Sequence, residues 1–137
     1  MFNKALILAL ALVLLPAPIA AKSTWRSEKA LQDNLREYGL AVRWNDFEAA
    51  AEALDPVLVQ GDRFSEQDEE YYKVFQISGY QLKSSAMLDP LTYSQRVELR
   101  IIDRDTQVER IKTDRQNWRY DVLAKRWWLT SGLPKLD

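Results

Sequence analysis

The sequence contains no histidine and no cysteine. Histidine is the side chain whose ordinary pKa lies closest to neutrality, and the common nucleophile systems of hydrolases need a histidine beside a serine or a cysteine. Disulfides, thiolate nucleophiles and zinc sites built from these two residue types are excluded as well. Acid–base chemistry would have to use a carboxylate, a tyrosine or a lysine with a shifted pKa. These absences weigh against an enzyme, and the sequence predicts no catalytic residue, no metal site and no cofactor.

The sequence also has little excess charge, since its 19 basic residues nearly balance its 20 acidic residues. Partners such as nucleic acid or an anionic membrane surface select chains in which lysine and arginine dominate. We therefore expect neither of them as a partner.

The first 21 residues have the composition of an export signal. Lys4 is the only charge before an apolar run over residues 5–15, and the small residues Ala20 and Ala21 follow two prolines. The run is too short for a membrane span, which needs about 20 apolar residues. A basic start, a short apolar core and a small-residue exit are typical of a secretory signal peptide. The sequence predicts a cleavable signal peptide over residues 1–21, one domain over residues 22–137, a periplasmic or secreted location, and no membrane span after processing.

Two helices are predicted after the signal. Leu31, Leu35, Tyr38 and Val42 recur at steps of four, three and four, which places them on one helical face. Ser27 is the expected N-cap of this first helix.

The second helix is predicted to begin at Asn45, with Glu48 completing a capping box, and to end before Pro56. Residues 57–70 follow as a solvated acidic loop. A calcium loop would need its acids around a central glycine, whereas Gly61 precedes the acids here.

The remainder of the chain has the two-residue period of strands. Strands are predicted over residues 71–83, around the alternating Val97, Leu99 and Ile101, and over residues 107–120 and 125–131, with turns between them. Helices followed by consecutive strands predict an α+β domain. Its N-terminal helices would pack on a strongly bent antiparallel sheet of about four strands.

This order of elements resembles the nuclear-transport-factor-like superfamily. The likeness lies in the long helix, the short helix at residues 45–50, the hairpins, and the segments 117–120 and 126–129, and it spans residues 27–134. It implies a cystatin-like, cone-shaped α+β roll whose open end holds a small apolar molecule. Enzymes of this superfamily generally use a buried carboxylate, often with a histidine or tyrosine partner, and histidine is missing here.

Aromatic residues supply the candidate ligand-binding positions. Packing of the core is the expected role of this aromatic cluster, and the alternative is an aromatic cavity wall formed by Tyr38, Trp118, Tyr120 and Trp127. Since Trp127 and Trp128 are adjacent in a strand, only one of them can face the interior.

Charged residues near the C-terminus allow two interpretations. Ion pairing across the strands is expected, with an anion-binding patch as the alternative, for four residues: Arg110, Lys112, Arg115 and Arg119. Asp46 and Asp114 are the acids to consider if the cone contains a carboxylate.

The expected function is that of a non-enzymatic exported module that binds a small apolar ligand or a protein partner of the cell envelope. The alternative is a histidine-free isomerase, dehydratase or cyclase that uses a pocket carboxylate or tyrosine. The oligomeric state stays open, a dimer included. An enclosed cavity with a carboxyl of raised pKa would favour the enzyme, whereas a filled interior with an exposed apolar patch would favour the binding module.

Overall fold

The computed structural model describes residues 19–137, with side chains from residue 25, so most of the predicted signal peptide lies outside the described residues. Its elements are α1 (Ile19–Arg43), α2 (Phe47–Ala51), α3 (Glu66–Tyr72), β1 (Phe75–Asp89), β2 (Thr92–Asp103), β3 (Glu109–Asp121) and β4 (Arg126–Leu129). The strands form one antiparallel sheet in the order β1-β2-β3-β4. The prediction of an α+β fold with a four-stranded antiparallel sheet is confirmed, and the sheet is open.

Helix α1 packs its predicted apolar stripe into the core. Leu31, Tyr38 and Val42 are buried, and Leu35 is partly buried against the same core. The prediction of Ser27 as N-cap is wrong, because the helix already includes this residue. Ser27 is buried instead, and its carbonyl oxygen accepts a hydrogen bond of 2.7 Å from Trp127 Nε1.

The start of α2 differs from the prediction by one residue. Asp46 is the N-cap, and its carboxylate accepts a 3.0 Å hydrogen bond from the Ala49 N–H. Asn45 has a φ of 60°, a left-handed conformation that asparagine tolerates better than most residues. Its side-chain oxygen accepts a 2.7 Å hydrogen bond from the Ile77 N–H and so ties the corner between the helices to β1.

The prediction of a loop over residues 57–70 is wrong for its C-terminal part, because α3 begins at Glu66. Ser65 and Asp68 form a capping box, with hydrogen bonds of 3.1 Å from Asp68 N to Ser65 Oγ and 2.9 Å from Ser65 N to Asp68 Oδ2. The acids of the first turn also suit the positive end of the helix. As a result β1 begins at Phe75, later than the predicted position 71.

The core lies between α1 and one face of the sheet. The predicted alternation in β2 is confirmed, since Val97, Leu99 and Ile101 are fully buried. The outer edge of β4 is covered as well, because Leu129 N donates to Ala53 O (2.7 Å) and Asp55 N donates to Leu129 O (3.0 Å). Strand β1 forms the opposite edge of the sheet.

Strand β1 is interrupted by three register shifts, which leave Ser78, Lys83 and Leu88 without a partner in β2. Such bulges bend a strand and increase its twist. Gly79 follows the first of them, and a Cβ there would lie only 3.0 Å from Arg100 Cδ. From position 81 to the end of β1 every residue is exposed. The distal part of β1 therefore lies at the surface, although Tyr93 and Gln95 in the adjacent part of β2 are buried.

The two adjacent tryptophans of β4 are both buried, on opposite faces of the sheet. Trp127 is fully buried under α1. Trp128 is 9% exposed and lies under the guanidinium of Arg126, 3.8 Å from its ring centroid, while its Nε1 donates to Asp121 Oδ2. The prediction that only one of them faces the interior is confirmed.

Candidate functional site

Three of the four predicted ligand-binding aromatics lie deep in the core. Tyr38, Trp118 and Trp127 are at most 2% exposed, and Tyr120 is half-buried. The rings of Tyr38 and Trp118 pack edge to face at 5.4 Å, and those of Tyr120 and Trp127 pack at the same distance. The interior at these positions is occupied by side chains. Ligand contact by these four residues stays a prediction.

A hydrogen-bonded chain of polar side chains crosses the core-facing side of the sheet. Tyr93 Oη donates to Gln95 Oε1 (2.9 Å), and Gln95 Nε2 donates to Gln116 Oε1 (2.7 Å). Gln116 Nε2 then donates to the Tyr80 hydroxyl (3.1 Å) and to Asp114 Oδ2 (2.9 Å). The side-chain amides of Gln95 and Gln116 each accept a hydrogen bond through Oε1 and donate through Nε2, which fixes their orientation.

Asp114 and Tyr38 are the unusual groups beside this chain. Burial raises the pKa of Asp114, and the Gln116 hydrogen bond opposes that rise. Burial also raises the pKa of Tyr38 well above its ordinary value, and the nearby Asp114 charge adds to the effect. The Tyr38 hydroxyl has no hydrogen-bond partner within the described chain. The sequence singled out Asp114; its hydrogen-bond partner Gln116 lies two residues along the same strand, whereas the proximity of Tyr38 comes from the packing of α1 on the sheet.

We expect Asp114→Asn to make the protein more stable at neutral pH. Because the folded-state pKa of Asp114 is raised, the folded state binds this proton more tightly than the unfolded state does. The stabilisation that the protonated Asp114 carboxyl contributes is complete below the ordinary carboxyl pKa. It is lost as the pH rises through the raised pKa of Asp114. Asparagine cannot ionise and can still accept the Gln116 hydrogen bond.

Urea denaturation of parent and variant over a range of pH measures this effect. The parent should lose stability across that window, and the variant should lose less. Asp46→Asn makes the same chemical change at the exposed N-cap of α2, where asparagine caps as well as aspartate, and should retain the parental profile. A variant at position 114 less stable than the parent at neutral pH would contradict the assignment.

A groove of about 310 Å³ lies between residues 25–32 of α1 and the β1–β2 hairpin. Its apolar lining consists of Trp25, Leu31, Met87 and Tyr93. The polar residues at its rim are Glu28, Lys29 and Gln32. This combination of apolar walls and a few polar groups is typical of small-molecule sites. The Tyr93 hydroxyl also joins the groove to the buried polar chain.

Two apolar side chains of β1 are far more exposed than the β2 residues opposite them. Met87 lies opposite Tyr93, and Leu82 lies opposite Val97, so both belong to the core-facing side of β1. Their β2 partners are buried, yet Met87 is 47% exposed and Leu82 is 52% exposed. Trp25, on α1, is 63% exposed. Trp25 and Met87 form an exposed apolar patch at the groove, which the sequence did not indicate because it depends on where α1 packs against the hairpin.

A larger groove of about 550 Å³ separates α3 from the C-terminal segment. Its lining includes two acids and two bases: Arg63, Asp68, Lys135 and Asp137. Arg63 already donates to the Leu54 carbonyl (2.5 Å) and lies over the Trp128 ring. Tyr71 Oη binds the Asp137 carboxylate (2.6 Å) and accepts from the Leu136 N–H (2.8 Å). Because Arg63, Asp68 and Asp137 are each engaged by other residues of the chain, we regard this groove as structural.

The predicted ion pairing across strands is wrong for the four basic residues near the C-terminus. The register places apolar, neutral or like-charged residues opposite them: Ile101 opposite Arg110, Leu99 opposite Lys112, Arg96 opposite Arg115 and Thr92 opposite Arg119. Their actual surroundings differ. Arg110 lies over the Phe75 ring, Lys112 donates to the Asp137 main-chain oxygen, and Arg119 pairs with Asp55.

Among residues 19–137 no group of three acids could hold a metal ion, and no helix there is long and apolar enough to cross a membrane. The chain matches no protein-family model and no curated protein. The structure thus defines an α+β protein with a filled interior and an apolar groove at one end of its sheet.

Proposed function

We propose that the chain is an exported, non-enzymatic binding module whose groove between α1 and the β1–β2 hairpin takes a small apolar ligand. The observation that carries this proposal is the exposure of Trp25 and Met87 in a groove beside a filled core. Exposed apolar side chains grouped at a concave surface mark binding sites in soluble proteins. Export rests on the composition of residues 1–21, which gives a periplasmic or secreted protein.

The groove favours a neutral and small occupant over a protein segment. Its volume of about 310 Å³ is at the lower end of the range for ligand pockets. Its charged rim residues have opposite signs, and Lys29 is neutralised further by its 3.0 Å ion pair with Asp33. Gln32 supplies an amide for one polar group of the ligand. The three bulges of β1 support the cone-shaped roll of the nuclear-transport-factor-like superfamily, in which an open end of this kind is expected.

The neutral fluorescent probe N-phenyl-1-naphthylamine tests the groove directly. We expect saturable binding to the parent protein, and at least about a tenfold loss of affinity for Met87→Gln, since burial of a methionine side chain contributes roughly 1.5–3 kcal/mol. Leu123→Gln is the matched control, because Leu123 is 95% exposed in the β3–β4 turn. Equal affinities of parent and Met87→Gln, or self-association of the chain without probe binding, would contradict the proposal.

A histidine-free enzyme is the second candidate, favoured by one observation. The raised pKa of Asp114 beside the unpartnered hydroxyl of Tyr38 is the kind of perturbation that functional carboxylates show. Asp114 does not line the groove, however, and its oxygen is held by Gln116. Under the binding proposal Asp114→Asn retains probe affinity, whereas loss of probe binding in this variant, with folding intact, favours the enzyme.

A further inference from the structure

Two arginines lie directly opposite each other on the outer face of the sheet. Arg96 of β2 is the register partner of Arg115 of β3, and both are exposed. Side chains in such a pair have Cβ atoms about 4.5–5.5 Å apart, and like charges in this position are destabilising. Within the part of the chain that the structure describes, neither arginine has an ion-pair partner.

The neighbouring cations of the sheet are neutralised. Lys83 lies 3.5 Å from a carboxylate oxygen of Glu98, and Arg100 lies 3.4 Å from one of Glu109. Arg119, further along β3, is held by Asp55. The pair formed by Arg96 and Arg115 is therefore a local concentration of positive charge in a chain whose net charge is −1.

The arginine pair borders a groove of about 410 Å³ whose other polar side chains are neutral. Ser84, Ser94 and Asn117 line it together with the two arginines, and no acid does so. Arg96 Nε donates to Ser84 Oγ at 3.2 Å, which fixes the guanidinium across the strands. Hydroxyl, amide and guanidinium groups are all hydrogen-bond donors. The groove thus concentrates donors and positive charge without a counterion.

We propose that this groove is a phosphate-binding site in which Arg96 and Arg115 hold the phosphate group from two neighbouring strands. A phosphate monoester carries about −1.5 to −2 charges at neutral pH, which matches two guanidinium groups, and the planar fork of arginine suits its oxygens. The bound anion would remove the repulsion between the two side chains. Leu88, 68% exposed on the groove rim, would contact the apolar part of a phosphorylated amphiphile.

Titration calorimetry with inorganic phosphate at low ionic strength tests the site. We expect the parent to bind, and Arg96→Gln and Arg115→Gln each to lose at least about tenfold in affinity, because each removes one charge-assisted contact. Arg100→Gln, on the same face but already paired with Glu109, is the matched control and should retain affinity. Phosphate should also raise the melting temperature of the parent more than that of either arginine variant.

Vesicles that contain phosphatidic acid, whose headgroup is a phosphate monoester, distinguish the two sources of the phosphate group. Vesicle binding that Arg115→Gln abolishes assigns the site to a lipid headgroup, and binding of inorganic phosphate without vesicle binding assigns it to a soluble phosphate. Absence of both, or an equal loss in Arg100→Gln, overturns the proposal. The groove for the apolar ligand lies on the other face of the sheet, so the neutral-probe experiment and this one fail independently.

Discussion

Trp127→Ala should lower the free energy of unfolding by about 3–5 kcal/mol. The indole is fully buried, its Nε1 donates to the Ser27 carbonyl (2.7 Å), and its main-chain N–H donates to Asn34 Oδ1 (2.9 Å). Truncation would remove the side chain that joins the last strand to α1 and would leave the Ser27 carbonyl without this donor. Equilibrium urea denaturation measures the loss.

Trp44→Ala is the matched control for this truncation. Trp44 is 76% exposed, and surface substitutions usually change stability by no more than about 0.5 kcal/mol. Since domains of this kind have only about 5–15 kcal/mol in total, Trp127→Phe provides a second, milder variant that retains a ring without the donor. It should lose less than the alanine variant and more than the control. A loss below about 1 kcal/mol in Trp127→Ala would contradict the role of β4 in the core.

Separation of the Asp55–Arg119 pair should cost about 2–4 kcal/mol. The Asp55 carboxylate is 5% exposed, accepts from Arg119 Nε and Nη2, and also accepts from the Val57 N–H (3.0 Å). Removal of one partner from a buried pair costs roughly 3–5 kcal/mol because the other charge stays unpaired. We expect the lower range of about 2–4 kcal/mol here because Arg119 is about one-third exposed, so its charge stays partly solvated. Arg119→Ala should therefore be more destabilising than Asp55→Asn.

The same pair should make stability depend on pH in the sense opposite to Asp114. The Arg119 hydrogen bond lowers the pKa of Asp55 below its ordinary value. The stabilisation that the ionised Asp55 carboxylate contributes is present above the ordinary carboxyl pKa. It is lost as the pH falls through the lowered pKa of Asp55. Urea denaturation along an acid series should show a smaller acid loss in Asp55→Asn than in the parent. For the free-energy cost of separating Asp55 from Arg119, the control is Lys29→Ala. This change breaks the exposed pair of Lys29 and Asp33 and should cost at most about 1 kcal/mol.

Local patterns predicted the elements whose burial follows from spacing alone. The stripe of α1 and the alternation of β2 were correct because each needs only the period of its own backbone. The third helix was missed although its signal was present. Ser65 and Asp68 have the spacing of a capping box, and the surrounding acids led to the prediction of a loop.

The two grooves could not be predicted because they depend on register and on the packing of distant elements. Arg96 faces Arg115 only in the register that β2 and β3 adopt, and Met87 lies beside Trp25 only because of where α1 packs against the hairpin. Asp55 and Arg119 are separated by 64 positions in the sequence, so no local pattern joins them. The aromatic cluster was recognised correctly as a group, yet its rings fill the interior of the fold.

The bulges of β1 also bear on how the protein avoids aggregation. An uncovered edge strand is a template for pairing with another chain, and cross-β assemblies start from regular segments of about six or seven residues. The unpaired positions Ser78, Lys83 and Leu88 interrupt β1 at intervals that leave only short regular stretches between them. Lys83 also places a charge at the middle interruption. The long exposed edge of the sheet is therefore a poor template for fibril growth, even though the strand is apolar at its tip.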